Sequence, residues 1–273
     1  MEEHKTGIQN IIFSSLIVIA IVFLIIFIIM AISMVLIRGV PNLWQSIQTE
    51  EIRFAIKLSF YTSITSTFLC IIFSVPIAYG LARYNFKGKE LISAIIDIPM
   101  ALPPIVSGVA LLLLFGTTSF GNFLADNGLK FVFTIKGIIL AQFFVNIPYI
   151  LRILKSTFKD IDPRLEFVSR TLGYNSLQTF FKVTLPLAKN GLIAGLVITW
   201  ARALGEFGAA LMLAGATRMR TETLPISLFL NMSSGDLKLG LAAATMIIFI
   251  SLVSLLIFEF MGVNNFIISR KKD

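Results

Sequence analysis

The chain has 273 residues, 56% of them apolar and 14% charged, with a mean hydropathy of +0.88 and a formal net charge of +8. That balance is too apolar for a soluble domain of this size and identifies an integral membrane protein. The basic residues are scattered among short connections without a nucleic-acid-binding pattern; the lone Cys70 excludes an intrachain disulfide, and the lone His4 argues against an ordinary protein metal site.

Residues 1–10 read as a polar tail. Residues 11–37 follow with 27 uncharged positions, more than the roughly 20 needed to cross about 30 Å of hydrocarbon. No small-residue cleavage site follows, so this segment is expected to remain as a permanent first transmembrane helix. Residues 58–82 carry no charge and form the second span, with Cys70 inside it as a small buried hydrophobe. The third, 91–115, contains Asp97 and the prolines Pro99, Pro103 and Pro104, which remove backbone donors and bend the helix. Irregular backbone at membrane depth is tolerated only inside protein or beside water. The fourth span, 131–151, has an uncharged core, GIILAQFFVNIPYIL, and needs Lys136 to reach toward the interface.

Between spans four and five lies a loop, 152–189, with the punctuation of two short helices. Asp162 before Pro163 is a helix start, since a carboxylate caps free N–H groups and proline fits the first helical position. Gly173 supplies a left-handed stop. Leu165, Val168 and Leu172 share one face, with Arg164 and Arg170 elsewhere around the helix. Asn175 and Gln178 make a capping-box pair that starts a second helix, whose apolar side is Leu177, Phe180 and Phe181 and whose end is marked by Pro186. Helices this short need a surface to pack on. The residues alone leave three candidates: the chain's own spans, the lipid interface, or another protein.

The fifth span, 190–214, places Arg202 and Glu206 four apart on one helix face, so both are expected to turn inward. They form either an internal locking or gating pair or part of a solute path. Gly191, Gly195, Gly205 and Gly208 allow close helix crossing. Spans three and five are the expected cavity walls, with Pro103, Pro104, Ser107, Arg202 and Glu206 as pathway or gate candidates. The sixth span is 239–258, followed by a tail at 261–273. Six spans put both termini on one side. That side carries fourteen Lys and Arg residues against eight opposite, so the termini and the 152–189 loop are expected in the cytoplasm.

The run G-x9-[IV]-x-L-P, here Gly173, Val183, Leu185 and Pro186, resembles the cytoplasmic loop signature of type I ABC importer permeases, written E-A-A-x3-G-x9-I-x-L-P. The E-A-A triplet falls on Phe167, Val168 and Ser169, and Glu166 stands one residue early, about 100° around the helix. "ARALGEFGA" at 201–209, "TETLP" at 221–225 and "SSGDL" at 233–237 resemble the molybdate, tungstate and sulfate branch, most of all its molybdate and tungstate members. The resemblance covers about 55–260. It implies an all-α membrane fold of six transmembrane helices, with a permease domain of five helices at 55–260 and cytoplasmic coupling helices. It further implies that Leu165, Glu166, Phe167, Arg170, Leu172, Gly173, Val183, Leu185 and Pro186 couple to an ATPase.

The partners implied are a second copy of the chain, two ABC ATPase subunits, an extracytoplasmic solute-binding protein and membrane lipid. No nucleic acid is expected. ATP and Mg belong to the ATPase, with no cofactor in this chain, which lacks a G-x4-G-K-[ST] loop and any Ser/His/Asp set. The chain is thus expected to be a non-catalytic transport subunit of the cell membrane that imports an oxyanion. The alternatives are an ABC permease for sulfate or another solute, and a secondary transporter or channel whose ion site is Arg202 and Glu206. The lack of an internal repeat speaks against the commonest secondary transporters.

Overall fold

The computed structural model describes residues 2–270, with side chains described over 13–257. Of the tails expected at 1–10 and 261–273, residues 2–10 and 261–270 enter as turns of the terminal helices, and the rest, with the side chain of His4, lies outside the described residues. Every element among the described residues is helical. Four helices are long and apolar enough to cross a membrane: α1 (Glu2–Gln48), α2 (Glu50–Arg83), α6 (Ile135–Asp160) and α13 (Leu237–Arg270). Two bent pairs bring the number up to six if each is counted as one span: α3 (Lys89–Ala101) with α4 (Pro104–Thr117), and the segment Ser176–Leu187 with α10 (Lys189–Leu204).

The α3–α4 bend is 109°, much more than a single proline kink. Pro103 pushes Leu102 out of the helical region, and Pro104 does the same to Pro103, so two successive residues are extended (ψ 142° and 136°). The break leaves few orphan donors because the prolines have none and Leu102 N–H still reaches the Ile98 carbonyl at 3.2 Å. The fifth span is also broken. At 16 residues, α10 is about 24 Å long, too short to cross alone. It stops at Gly205, and a short α11 (Gly208–Ala214) continues after it. Shorter helices α5 (Ser119–Asp126) and α12 (Leu224–Ser233) fill two of the connections.

The central bundle is α2, α6 and α10. Around the half nearest the 152–189 loop, Ile150, Leu151, Leu154 and Phe158 of α6 pack on Cys70, Ala78 and Leu81 of α2. Gly191 and Gly195 lie against Thr157, Ile150 and Ile153, which gives the expected close crossing of α10 on α6. Toward the other half, buried hydroxyls join the apolar contact: Ser59, Thr62, Ser63, Ser66 and Thr67 of α2 are all buried, and Gln142 Nε2 donates to Thr62 Oγ1 at 3.3 Å and to the Ala203 carbonyl at 2.8 Å. Lipid gives helices no hydrophobic reason to associate, so small hydroxyl side chains and cross-helix bonds join them instead. The last turns of α1 pack on α13, with Gly39 against Thr245 and Leu241, while Phe13 to Met30 are exposed all round.

The two breaks meet. A Cβ on Gly108 of α4 would stand 2.7 Å from the Ala209 carbonyl oxygen and 2.8 Å from Met212 Cβ, and one on Gly208 would stand 3.1 Å from the Ile105 nitrogen. Gly108→Val therefore forces backbone apart and should lower the detergent-solubilised melting midpoint by an amount equivalent to about 1–3 kcal/mol. Gly80→Ala, in the open surface of α2 with nothing within 4 Å, should not lower it. Fluorescence-detected thermal scans of the two variants give the comparison.

Candidate coupling hairpin and pathway junction

The 152–189 loop folds as α6 continuing to Asp160, then α7 (Pro163–Thr171), α8 (Ser176–Thr179), a π-turn over Phe180–Thr184 and α9 (Leu185–Leu187). Asp162 caps α7 by accepting from Arg164 N–H at 2.9 Å. Gly173 ends it at φ +93°, with Gly173 N–H donating to Arg170 and Tyr174 N–H to Ser169, the paired bonds of a left-handed helix stop. The Asn175–Gln178 box forms in both directions, at 2.8 and 3.0 Å. Pro186 has no N–H for the carbonyl of Lys182, and just before it the ladder slips to a π-turn, in which Leu185 N–H reaches Phe180.

The hairpin is built inside out. Its exposed side chains include the apolar Leu165, Phe167, Val168, Leu172, Tyr174, Leu177, Phe181 and Leu187, with Leu172 77% exposed, beside the polar Arg164, Arg170, Gln178 and Lys182. Its buried ones are polar: Glu166, Ser169, Thr179 and Thr184. Arg83, the last residue of α2, donates from Nε to Glu166 Oε1 at 2.8 Å and from Nη2 to the Ile161 carbonyl at 2.9 Å. Thr184 Oγ1 and Tyr79 OH donate to the same carboxylate at 3.0 and 3.2 Å, and Arg170 stands 3.7 Å away. Ser169 and Thr179 share a hydroxyl contact of 2.7 Å that closes α7 on α8. Phe180 wedges between Tyr79 and Phe158, with centroids 4.9 and 6.2 Å distant.

Of the residues marked by the sequence, Leu165, Phe167 and Leu172 stand on the outer surface, with Arg170 and Pro186 also exposed. Val183 and Leu185 are half-buried at the root of the hairpin. Glu166 is on the opposite side from Phe167, 2% exposed, where it faces α2 and not solvent. Arg83, Tyr79 and Thr184 were not singled out in the sequence. Arg83 carries a signal in hindsight, because it closes a long uncharged span from which a cation reaches the adjacent loop.

At the junction, Pro103 and Pro104 are exposed and Ser107 is fully buried. The expected Arg202–Glu206 pair is not formed. Helix α10 ends at Leu204, so the four-residue spacing no longer places the two on a continuous helix. Glu206 turns back to accept from Ala209 N–H at 2.9 Å, capping α11, while Arg202 lies over the Tyr149 ring at 3.7 Å from its centroid.

Residues 71–270 match the family model for the binding-protein-dependent transport system inner membrane component. A probable molybdenum ABC transporter permease of Haloferax volcanii is 34% identical over 232 residues, covering 85% of this chain and 84% of that one. A sulfate transport system permease of Salmonella typhimurium is 33% identical over 213 residues, covering 78% and 77%. Among solved structures, a bacterial ABC transporter involved in import of the acidic polysaccharide alginate aligns over 96% of this chain and 97% of that one, with a TM-score of 0.72 at 18% identity, a likeness of fold. With its membrane-spanning bundle and the loop signature at Gly173–Pro186, the chain belongs to the binding-protein-dependent inner membrane components, and it is a permease subunit of an ABC importer.

Proposed function

We propose that this permease imports a tetrahedral oxyanion, molybdate or tungstate, and that its 152–189 hairpin is the handle through which a separate ATPase drives it. The observation that carries the reading is the inside-out hairpin. Eight large hydrophobic side chains, Leu165, Phe167 and Leu172 among them, stand exposed on it while a buried carboxylate anchors the fold behind them. A patch of that kind marks an interface. Two copies of the chain would flank one path, with both termini cytoplasmic, two ATPase subunits below and an extracytoplasmic solute-binding protein above. ATP and Mg would be held by the ATPase. Drawing the ATPases together would move the hairpins, and through Arg83 and Glu166 would move α2 with them.

The oxyanion reading is supported by the "RALGEFGA" and "TETLP" runs and by the molybdenum-permease relative. Sulfate is the second reading, favoured by the sulfate-permease relative at nearly the same identity. Both ions are tetrahedral dianions, so uptake must be measured with each. Vesicles holding this chain, its ATPase and its binding protein should accumulate labelled molybdate and tungstate only when ATP is supplied, with sulfate a poor competitor. Transport that persists without ATP would remove the importer reading.

Two predictions concern the hairpin. Gly173 has nothing within 4 Å of a built Cβ, so its backbone angle, and not space, is what a side chain would disturb. Gly173→Val should let the spans insert and the ATPase bind, but should raise ATP hydrolysed per anion imported severalfold. The second concerns the buried anchor. Glu166→Ala leaves Arg83 without its partner and should cost about 3–5 kcal/mol of local stability, whereas the double change Arg83→Met with Glu166→Leu should cost less. Protease nicking of the loop in purified transporter would rank the three proteins.

A further inference from the structure

Arg202 lies about 20 Å along α10 from its cytoplasmic start at Lys189, yet its side chain is exposed. A guanidinium at that depth does not face hydrocarbon, so this flank of the molecule is wet. The Tyr149 ring covers one face of the guanidinium. Stacking uses the face and leaves the N–H groups at the edge, and among the described residues Arg202 makes no hydrogen bond or ion pair. A planar fork of unused donors matches two oxygens of a tetrahedral oxyanion.

Further cations continue from it toward the cytoplasm. Arg152 and Lys155 follow Tyr149 at intervals of three along one flank of α6, about 4.5 Å of rise per step. Arg152 Nη2 donates to Asp97 Oδ2 at 2.8 Å, with the two side chains 59% and 33% exposed, and Lys155 Nζ donates to Ser93 Oγ at 3.1 Å. Ser93 and Asp97 are one turn apart on α3. The result is a ladder of three cations running from the stacked Arg202 along α6 to Lys155, with the carboxylate of Asp97 paired to its middle member and that of Glu206 near enough to Arg202 to feel its charge. The Asp97 carboxylate competes with an arriving anion at Arg152, which keeps the step weak, as passage requires.

We propose that this ladder is the cytoplasmic half of the oxyanion path. The edge of Arg202 receives the anion, Arg152 and Lys155 pass it on toward the cytoplasm, and a second copy of the chain closes the open side. The proposal rests on the oxyanion-importer reading. A lipid phosphate carries the same tetrahedral oxygens, but it stays at the interface, well short of Arg202.

The test uses the assembled transporter in phosphatidylcholine vesicles, with Tyr149→Cys and Arg202→Cys made singly in a Cys70→Ala chain. Ile64→Cys, 56% exposed in an apolar groove with Phe68, Leu196 and Trp200, is the control. Anionic and cationic methanethiosulfonates of similar size are added from the ATPase side. Cysteines at 149 and 202 should react, about tenfold faster with the anionic reagent at 149, where all three cations remain. Reaction at 149 should slow when molybdate is present, and Ile64→Cys should stay inert. Arg202→Lys should retain severalfold more import than Arg202→Gln. Inert cysteines at both positions, no charge preference at 149, or equal import by the two Arg202 variants would overturn the proposal. So would a preference at 149 that appears only when anionic lipid is added. ATP-dependent import by the unaltered chain, measured in the same vesicles, separates failure of the ladder from failure of the importer reading.

Discussion

The carboxylate of Glu166, 2% exposed, is sustained by Arg83 at 2.8 Å and by the hydroxyls of Thr184 and Tyr79. Removing a carboxylate from water is costly unless it is paired and hydrogen-bonded, and here all three donors come from elements other than α7. Helices of nine and four residues do not hold together alone in water, and the hairpin has few buried apolar side chains apart from Phe180. Its fold therefore depends on this anchor. With the interior made polar, the apolar side chains are left on the outside, which is what a docking surface requires.

The same hydrocarbon constraint explains the two broken spans. A helix can stop at membrane depth only where its free N–H and C=O groups find partners. At Pro103 and Pro104 the missing donors remove most of the difficulty. At Gly205–Gly208 the Glu206 side chain supplies an acceptor for Ala209, and the α4–α11 contact covers the junction. A charge that looks like half of an ion pair thus serves as a helix cap, which frees Arg202 to lie over Tyr149.

The spans, their order and the hairpin's caps were legible because each depends on neighbours in sequence. Asp162, Gly173 and the Asn175–Gln178 box all behave in the structure as their local chemistry demands. The face formed by Leu165, Val168 and Leu172 was also legible, though not whether it points inward or outward. Arg202 and Glu206 do not form the ion pair that an unbroken helix would give, because α10 ends at Gly205, a glycine whose spacing suggests only close packing. The hydroxyl row of α2, Ser59, Thr62, Ser63, Ser66 and Thr67, has helical spacing and could have been found. In an uncharged run, hydroxyls count as apolar enough to span, and their shared face passes unnoticed.

Sequence alone determined that this is a multi-pass membrane protein with a capped helical hairpin between two spans, because hydropathy, capping and turn chemistry act over a few residues. Tertiary structure decided the partners of the charges. Glu166 meets Arg83 across 83 positions, Arg152 meets Asp97 across 55, and Arg202 meets a tyrosine on another helix. Such pairings depend on how α2, α3, α6 and α10 cross, and the crossings are set by small residues, hydroxyls and breaks whose effect appears only once the helices are packed.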